Sequence, residues 1–144
     1  ELRGDDLHLS RKSAGWFGGG SRAKVTYIIT MPLLDEIDVS SGVSLSAEGM
    51  ISNGLELDAS SGASVRVDGS CDSIEVDASS GASVAAGEMK CQKADVDASS
   101  GASVSAYASE VASADGSSGS SIRIDGGATN RSAERSSGAS VTIS

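Results

Sequence analysis

Along most of the chain, apolar and polar residues alternate one for one. Leu55-Glu56-Leu57-Asp58 and Ala63-Ser64-Val65-Arg66-Val67 are typical runs. A period of two puts successive side chains on opposite faces of an extended backbone, so each run predicts a strand with one buried face. The runs are punctuated by Ser-Ser-Gly at 40–42, 60–62, 79–81, 99–101, 117–119 and 136–138, with glycine spacings of 20, 19, 20, 18 and 19 residues. Aligned on that glycine, the copies fall into columns. Three positions after it stand Leu45, Val65, Val84, Val104, Ile122 and Val141, and five before it Ile37, Leu57, Val76, Val96, Ala114 and Ala133. Four before it stand Asp38, Asp58, Asp77, Asp97, Asp115 and Glu134, and two after it Ser44, Ser64, Ser83, Ser103, Ser121 and Ser140.

A strand, a glycine corner, a second strand and a return, repeated in register, make one coil of a β-solenoid. The expected fold is therefore an all-β, single-stranded β-helix with about 19 residues per coil and six repeated coils. With coils stacked about 4.8 Å apart, the rod would be roughly 25–30 Å long. A β-sandwich also has short strands and regular turns, but it does not require each turn to repeat the same residues in register. Gly62, Gly81 and Gly101 serve corners that call for positive φ. In the last coils Ala112 and Ala114 replace larger residues, and Arg131 and Arg135 enter apolar columns. A polar terminal repeat suits an end on which nothing stacks. The expected organisation is one solenoid domain over 1–144, with strands and a loop in 1–34 and six coils in 35–144.

Cys71 and Cys91 each lie ten residues before the next repeat glycine, hence in one column of adjacent coils. Stacked Cα atoms about 4.8 Å apart are within disulfide range, so the pair is read as a candidate bond, with two reduced, partly buried thiols as the alternative. Before the repeats, Leu7-His8-Leu9 and the run from Lys24 to Thr30 read as strands feeding the first coil. Between them lie Trp16 and Phe17, the chain's single Trp and single Phe, followed by three glycines and flanked by Arg11, Lys12 and Arg22. An aromatic pair on a glycine loop beside bases is a candidate contact tip for sugar rings or a protein surface. The alternative is a plug folded over the apolar end of the rod.

Charge narrows the partners. The net charge is −9, divided into +2 over residues 1–24 and −11 over 25–144. An acidic rod repels phosphate backbones, which argues against nucleic acid. No run approaches 18 consecutive apolar residues, so no membrane-spanning helix is expected. The sequence opens on Glu and shows no signal peptide, so it reads as a processed or trimmed product.

The acid column admits three readings. Stacked carboxylates are the ligand type of Ca²⁺, which takes six to eight oxygens, but the glycine-rich nonapeptide of calcium β-rolls is missing. Carboxylates about 5 Å apart also match the spacing of a retaining glycosidase pair. Such a pair needs two environments that push the pKa values apart, whereas a repeated column gives its members nearly the same one. The third reading makes Asp58, Asp77 and Asp97 turn devices, each accepting the backbone N–H two residues on and shaping the Ser-Ser-Gly corner. That reading is favoured, with no metal or cofactor expected. His8 is the chain's single histidine and no Gly-x-Ser-x-Gly elbow occurs, so the serine columns do not point to hydrolysis.

From Val25 the run Val-Thr-Tyr-Ile-Ile-Thr-Met-Pro-Leu-Leu-Asp-Glu-Ile-Asp-Val-Ser-Ser-Gly, ending at Gly42, resembles the family catalogued as putative auto-transporter adhesin, head GIN domain. The shared pattern is an apolar strand, a Pro-Leu joint and an Ile-Asp-Val-Ser-x-Gly turn, and the later Asp-Ala-Ser-Ser-Gly-Ala-Ser copies are similar to the family's repeats. The resemblance covers essentially the whole chain. It implies a right-handed β-helix exported to a bacterial envelope: periplasm, outer-membrane surface or extracellular space. The family normally begins with strands preceding the part matching 2–10, so a fragment is expected. It offers no catalytic residues to carry over. The expected function is thus a non-catalytic envelope or surface protein, an adhesin or scaffold binding a glycan or a cell-surface protein. The alternatives are a polysaccharide-processing solenoid enzyme using the acid ladder, and a purely structural spacer.

Overall fold

A computed structural model describes residues 2–3, 6–9, 26–29 and 34–144, with side chains from residue 34 onward. The strands are β1 (Leu2–Arg3), β2 (Asp6–Leu9), β3 (Thr26–Ile29), β4 (Glu36–Val39), β5 (Ser44–Ala59) and β6 (Ser64–Ala78), then β7 (Ser83–Ala98), β8 (Ser103–Gly116), β9 (Ser121–Asp125), β10 (Asn130–Arg135) and β11 (Ser140–Ile143). No helix occurs among the described residues. Apart from the antiparallel β1–β2 contact, every pairing is parallel, β4 through β8 stacking in chain order. The fold is a β-solenoid of about 6 turns with coils about 19 residues apart.

The pairing register reproduces the sequence columns. Leu45, Val65, Val84, Val104, Ile122 and Val141 stand opposite one another in successive coils. So do Ile37, Leu57, Val76, Val96, Ala114 and Ala133. Leu57, Val76 and Val96 are completely buried. The inward columns hold Val, Ile, Leu, Met and Ala, so the core is narrow and filled by stacking like on like. Alternation breaks three times in each of the coils of β5, β6 and β7: near 48–49, at 53–54 and at 60–62 in the coil containing β5. These breaks divide the coil into three arms: a first arm after the Ser-Ser-Gly corner, a second arm, and a third that leads into the next corner. Between β5 and β7 the coil-length differences sit between the first and second arms, where the register shifts between Ala47 and Met50 and between Arg66 and Asp68; β7–β8 shifts there and again between Cys91 and Lys93. At this corner Gly69 (φ +137°) lies so close to the coil above that a Cβ would overlap the Met50 carbonyl oxygen.

The Ser-Ser-Gly corners are tight turns in which both central residues are left-handed. Ser61, Ser80 and Ser100 all have φ +52°, and the glycines after them +73° to +75°. Positive φ at both central residues is the type I′ signature, and the closing hydrogen bonds follow: the Ala63, Ala82 and Ala102 amides donate to the Ser60, Ser79 and Ser99 carbonyls at 3.0 Å. Serine in this region costs about 1 kcal/mol or more. Stacking supplies compensation, because each corner glycine donates its N–H to the left-handed serine carbonyl of the following coil at 3.1 Å, as Gly62 does to Ser80 and Gly81 to Ser100.

The two ends differ. At the start, β2 pairs with β4 and β3 with β5, so a further coil stands above the first Ser-Ser-Gly copy. At the other end every residue of β10 is exposed, including Ala133 in the column of Val96. Arg131 occupies the column of Leu55 and Ile74, and its guanidinium bridges the Ala128 carbonyl (2.6 Å) and the Ile143 carbonyl (3.3 Å). The arginine therefore ties the segment before β10 to β11 across the end of the core.

Candidate functional site

The third arm carries the densest chemistry. Its inward residues are apolar, so by alternation its outward residues line up between coils. One outward column contains Asp38, Asp58, Asp77, Asp97 and Asp115, with Glu134 below. Beside it runs a second carboxylate column, Glu36, Glu56, Glu75 and Asp95, ending at Ser113. Two columns of acids on one sheet form a lattice about 4.8 Å by 6–7 Å, set by strand spacing and residue rise. The Asp column and the corner serines line a shallow groove of about 570 Å³. Partial burial, then Asp77, Glu56 and Asp38, pushes the Asp58 carboxyl above the ordinary aspartate value. Asp97 is raised by the same kinds of cause, burial first and then Asp77, Asp115 and Asp95. The shifts run in one direction, unlike an acid–base pair whose members are driven apart. Among the described residues, no group of three or more His, Cys, Asp or Glu side chains is placed to hold a metal ion.

The hydrogen-bond role expected of Asp58, Asp77 and Asp97 is corrected by the corner geometry. The amide two residues after each aspartate goes to the preceding coil: Ser60 N–H to the Val39 carbonyl, Ser79 N–H to Ala59, and Ser99 N–H to Ala78. That donor is committed to the inter-coil ladder, and the turn itself closes through backbone hydrogen bonds. Gly62, Gly81 and Gly101 do take the positive φ expected of them. The left-handed serines and the Glu36–Asp95 column were not anticipated. The column was visible as the glutamate between Leu55 and Leu57 and its counterparts, whereas serine composition carries no sign of φ.

Cys71 and Cys91 stand opposite each other in the β6–β7 register and are joined as a disulfide, with Cα atoms 4.5 Å apart. The bond clips two coils together on the second arm. The candidate contact residues Arg11, Lys12, Trp16, Phe17 and Arg22 lie outside the described residues, as does the plug alternative. Leu9 pairs with Val39 and Thr26 with Ser44, so residues 10–25 connect the two positions joined by 40–43 in the coil below. In sequence, sixteen residues with four bases and no acid thus separate two paired positions that four residues separate in the coil below.

A family model described as putative auto-transporter adhesin, head GIN domain, matches residues 1–128. No curated protein and no solved structure matches the chain.

Proposed function

The chain belongs to the family described as putative auto-transporter adhesin, head GIN domain, and from that premise we propose that it is a non-catalytic surface protein of the bacterial envelope whose solenoid holds binding contacts in place. The observation that carries this reading is that sixteen residues, including an aromatic pair and four bases, separate Leu9 and Thr26 in sequence, where four residues separate their pairing partners Val39 and Ser44 in the coil below. Insertions at solenoid corners leave the stacked core intact while adding a contact surface. Trp16 and Phe17 would supply apolar contact area, and Arg11, Lys12 and Arg22 charge. The inter-coil disulfide favours an oxidising compartment, in keeping with export. The uniform environment of the acid ladder favours a structural surface over a catalytic one. No helix among the described residues is long and apolar enough to cross a membrane.

The test is to replace residues 10–25 by Ser-Ser-Gly-Ala, the type of corner used in the coils below, and to measure both melting temperature and adhesion to immobilised polysaccharides and host surface proteins. The expected result is lost adhesion at an unchanged melting temperature. Adhesion that survives the replacement would refute the contact role of the segment.

A further inference from the structure

Among the described residues, one large hydrophobic side chain is exposed, and a half-buried aromatic lies three coils along the same arm. Ile51 is the large hydrophobic left exposed, at 61%, and Tyr107 is the single aromatic residue of 34–144. Both line a groove of about 390 Å³ over the second arm. Ile51, Ser70 and Lys90 form one outward column there, small in the middle, and Asp72 and Gln92 stand beside it across the disulfide position. Gln92 donates to Asp72 at 3.4 Å, and Asn53 and Ser109 complete the polar lining. Lys90 is held in place by the Gly87 carbonyl (2.9 Å) and lies over one face of the Tyr107 ring, 4.2 Å from its centroid. Cys71 and Cys91 lie beneath, so the two middle coils of the floor are covalently fixed.

Three features select the occupant. The groove's charged lining residues are one acid, Asp72, and one base, Lys90. Lys90 is paired with Glu88 (3.8 Å) and Asp72 accepts from Gln92, so the groove offers an ionic ligand neither an unpaired base nor a cluster of acids, and suits a neutral one. The strands under it, β5 through β8, are paired to their neighbours, so a peptide strand finds no free edge to extend. Recognition must come from side chains, which here mix apolar walls with amide, carboxylate and hydroxyl groups, a combination suited to a molecule with both C–H faces and many hydroxyls. A floor fixed by a disulfide also lowers the ordering cost of binding.

We propose that this groove binds a short stretch of neutral polysaccharide, with sugar C–H faces against Ile51 and Tyr107 and hydroxyls on Asn53, Asp72 and Gln92. The proposal rests on the surface-binding reading above and names a ligand class and a second contact site for it. The test is affinity electrophoresis of the full chain through dextran, mannan, galactan and xyloglucan, with the variants Ile51→Ser and Gln92→Ala, the Asp77→Asn control and the 10–25 replacement. At least one of these polymers should retard the chain. Each groove variant should weaken retardation about tenfold, the effect of losing one well-placed contact, with unchanged melting temperature, while Asp77→Asn retains it. Full retardation of both groove variants, or loss on the 10–25 replacement alone, overturns the groove and leaves the surface-binding reading standing. Binding to immobilised host protein without retardation by any of the four polymers does the same. Binding to neither overturns both.

Discussion

Asp77 is the most informative position on the acid ladder, because it raises the carboxyls of both Asp58 and Asp97. Replacing it with Asn keeps the shape, removes one charge and turns one acceptor oxygen into an NH2 donor. Stacked carboxylates about 4.8 Å apart repel by about 0.9 kcal/mol in bulk water. A Debye length of about 8 Å at physiological salt cuts this to roughly half. With two neighbours, Asp77→Asn should stabilise the protein by about 1 kcal/mol, and by somewhat more at low salt. For 144 residues at about 2.1 cal/mol/K each, that is a rise of about 3 °C in melting temperature. Thermal melts followed by circular dichroism at 20 mM and 500 mM NaCl check both the gain and its loss with salt. The same ladder sets a pH dependence. The folded-state pKa values of Asp58 and Asp97 lie above the ordinary 3.8, so the native state binds more protons than the unfolded state just above that value. Their contribution to stability is therefore largest at low pH and falls as pH rises through the raised values. The wild type should melt higher just above pH 3.8 than at pH 7, and Asp77→Asn should reduce the difference to the part that burial causes. A variant less stable than wild type at pH 7 would refute the reasoning and restore the carboxylate as a device that holds the corner.

Three further outcomes are expected. Ser120 is buried in a column otherwise holding Val43, Ala63, Ala82, Ala102 and Ala139, and its hydroxyl has no hydrogen-bond partner; Ser120→Ala should stabilise by about 1 kcal/mol, read as a higher urea midpoint. Gly69→Ala drives a methyl into the Met50 backbone and should cost about 3 kcal/mol or more through separation of the two coils, seen as a large fall in melting temperature. Replacing both cysteines by serine opens a cross-link between positions 20 residues apart and should cost about 3 kcal/mol in the chain-entropy model, with the same loss when the wild type is measured in reductant.

The sequence made the stacking legible because each coil copies the last. Once Gly62, Gly81 and Gly101 were aligned, the partners of Val65, Val76 and Asp77 followed, and the β6–β7 register agrees residue for residue at those columns. What escaped was whatever a period of two does not encode. Burial alternation says which side chains point inward but not where the chain bends between Ala47 and Met50; the mark there was Gly49 (φ +67°), a lone glycine without the Ser-Ser context that made the other corners stand out. The left-handed serines escaped because the closing hydrogen bond and the stacked glycine amide, not serine's own preference, hold them there. The aspartate role was misjudged because a local side-chain hydrogen bond competes with an inter-coil ladder invisible in one coil's sequence. The groove escaped for the opposite reason: Ile51 and Tyr107 lie 56 residues apart, and only stacking puts them on one face.

The most direct test of the central claim is to incubate the purified chain with a broad panel of host and bacterial polysaccharides, recording both retention and release of reducing ends. A scaffold that binds without cutting predicts retention with no reducing ends above the buffer control. Release of reducing ends by the wild type, abolished in Asp77→Asn, would contradict it and make the acid ladder an active site.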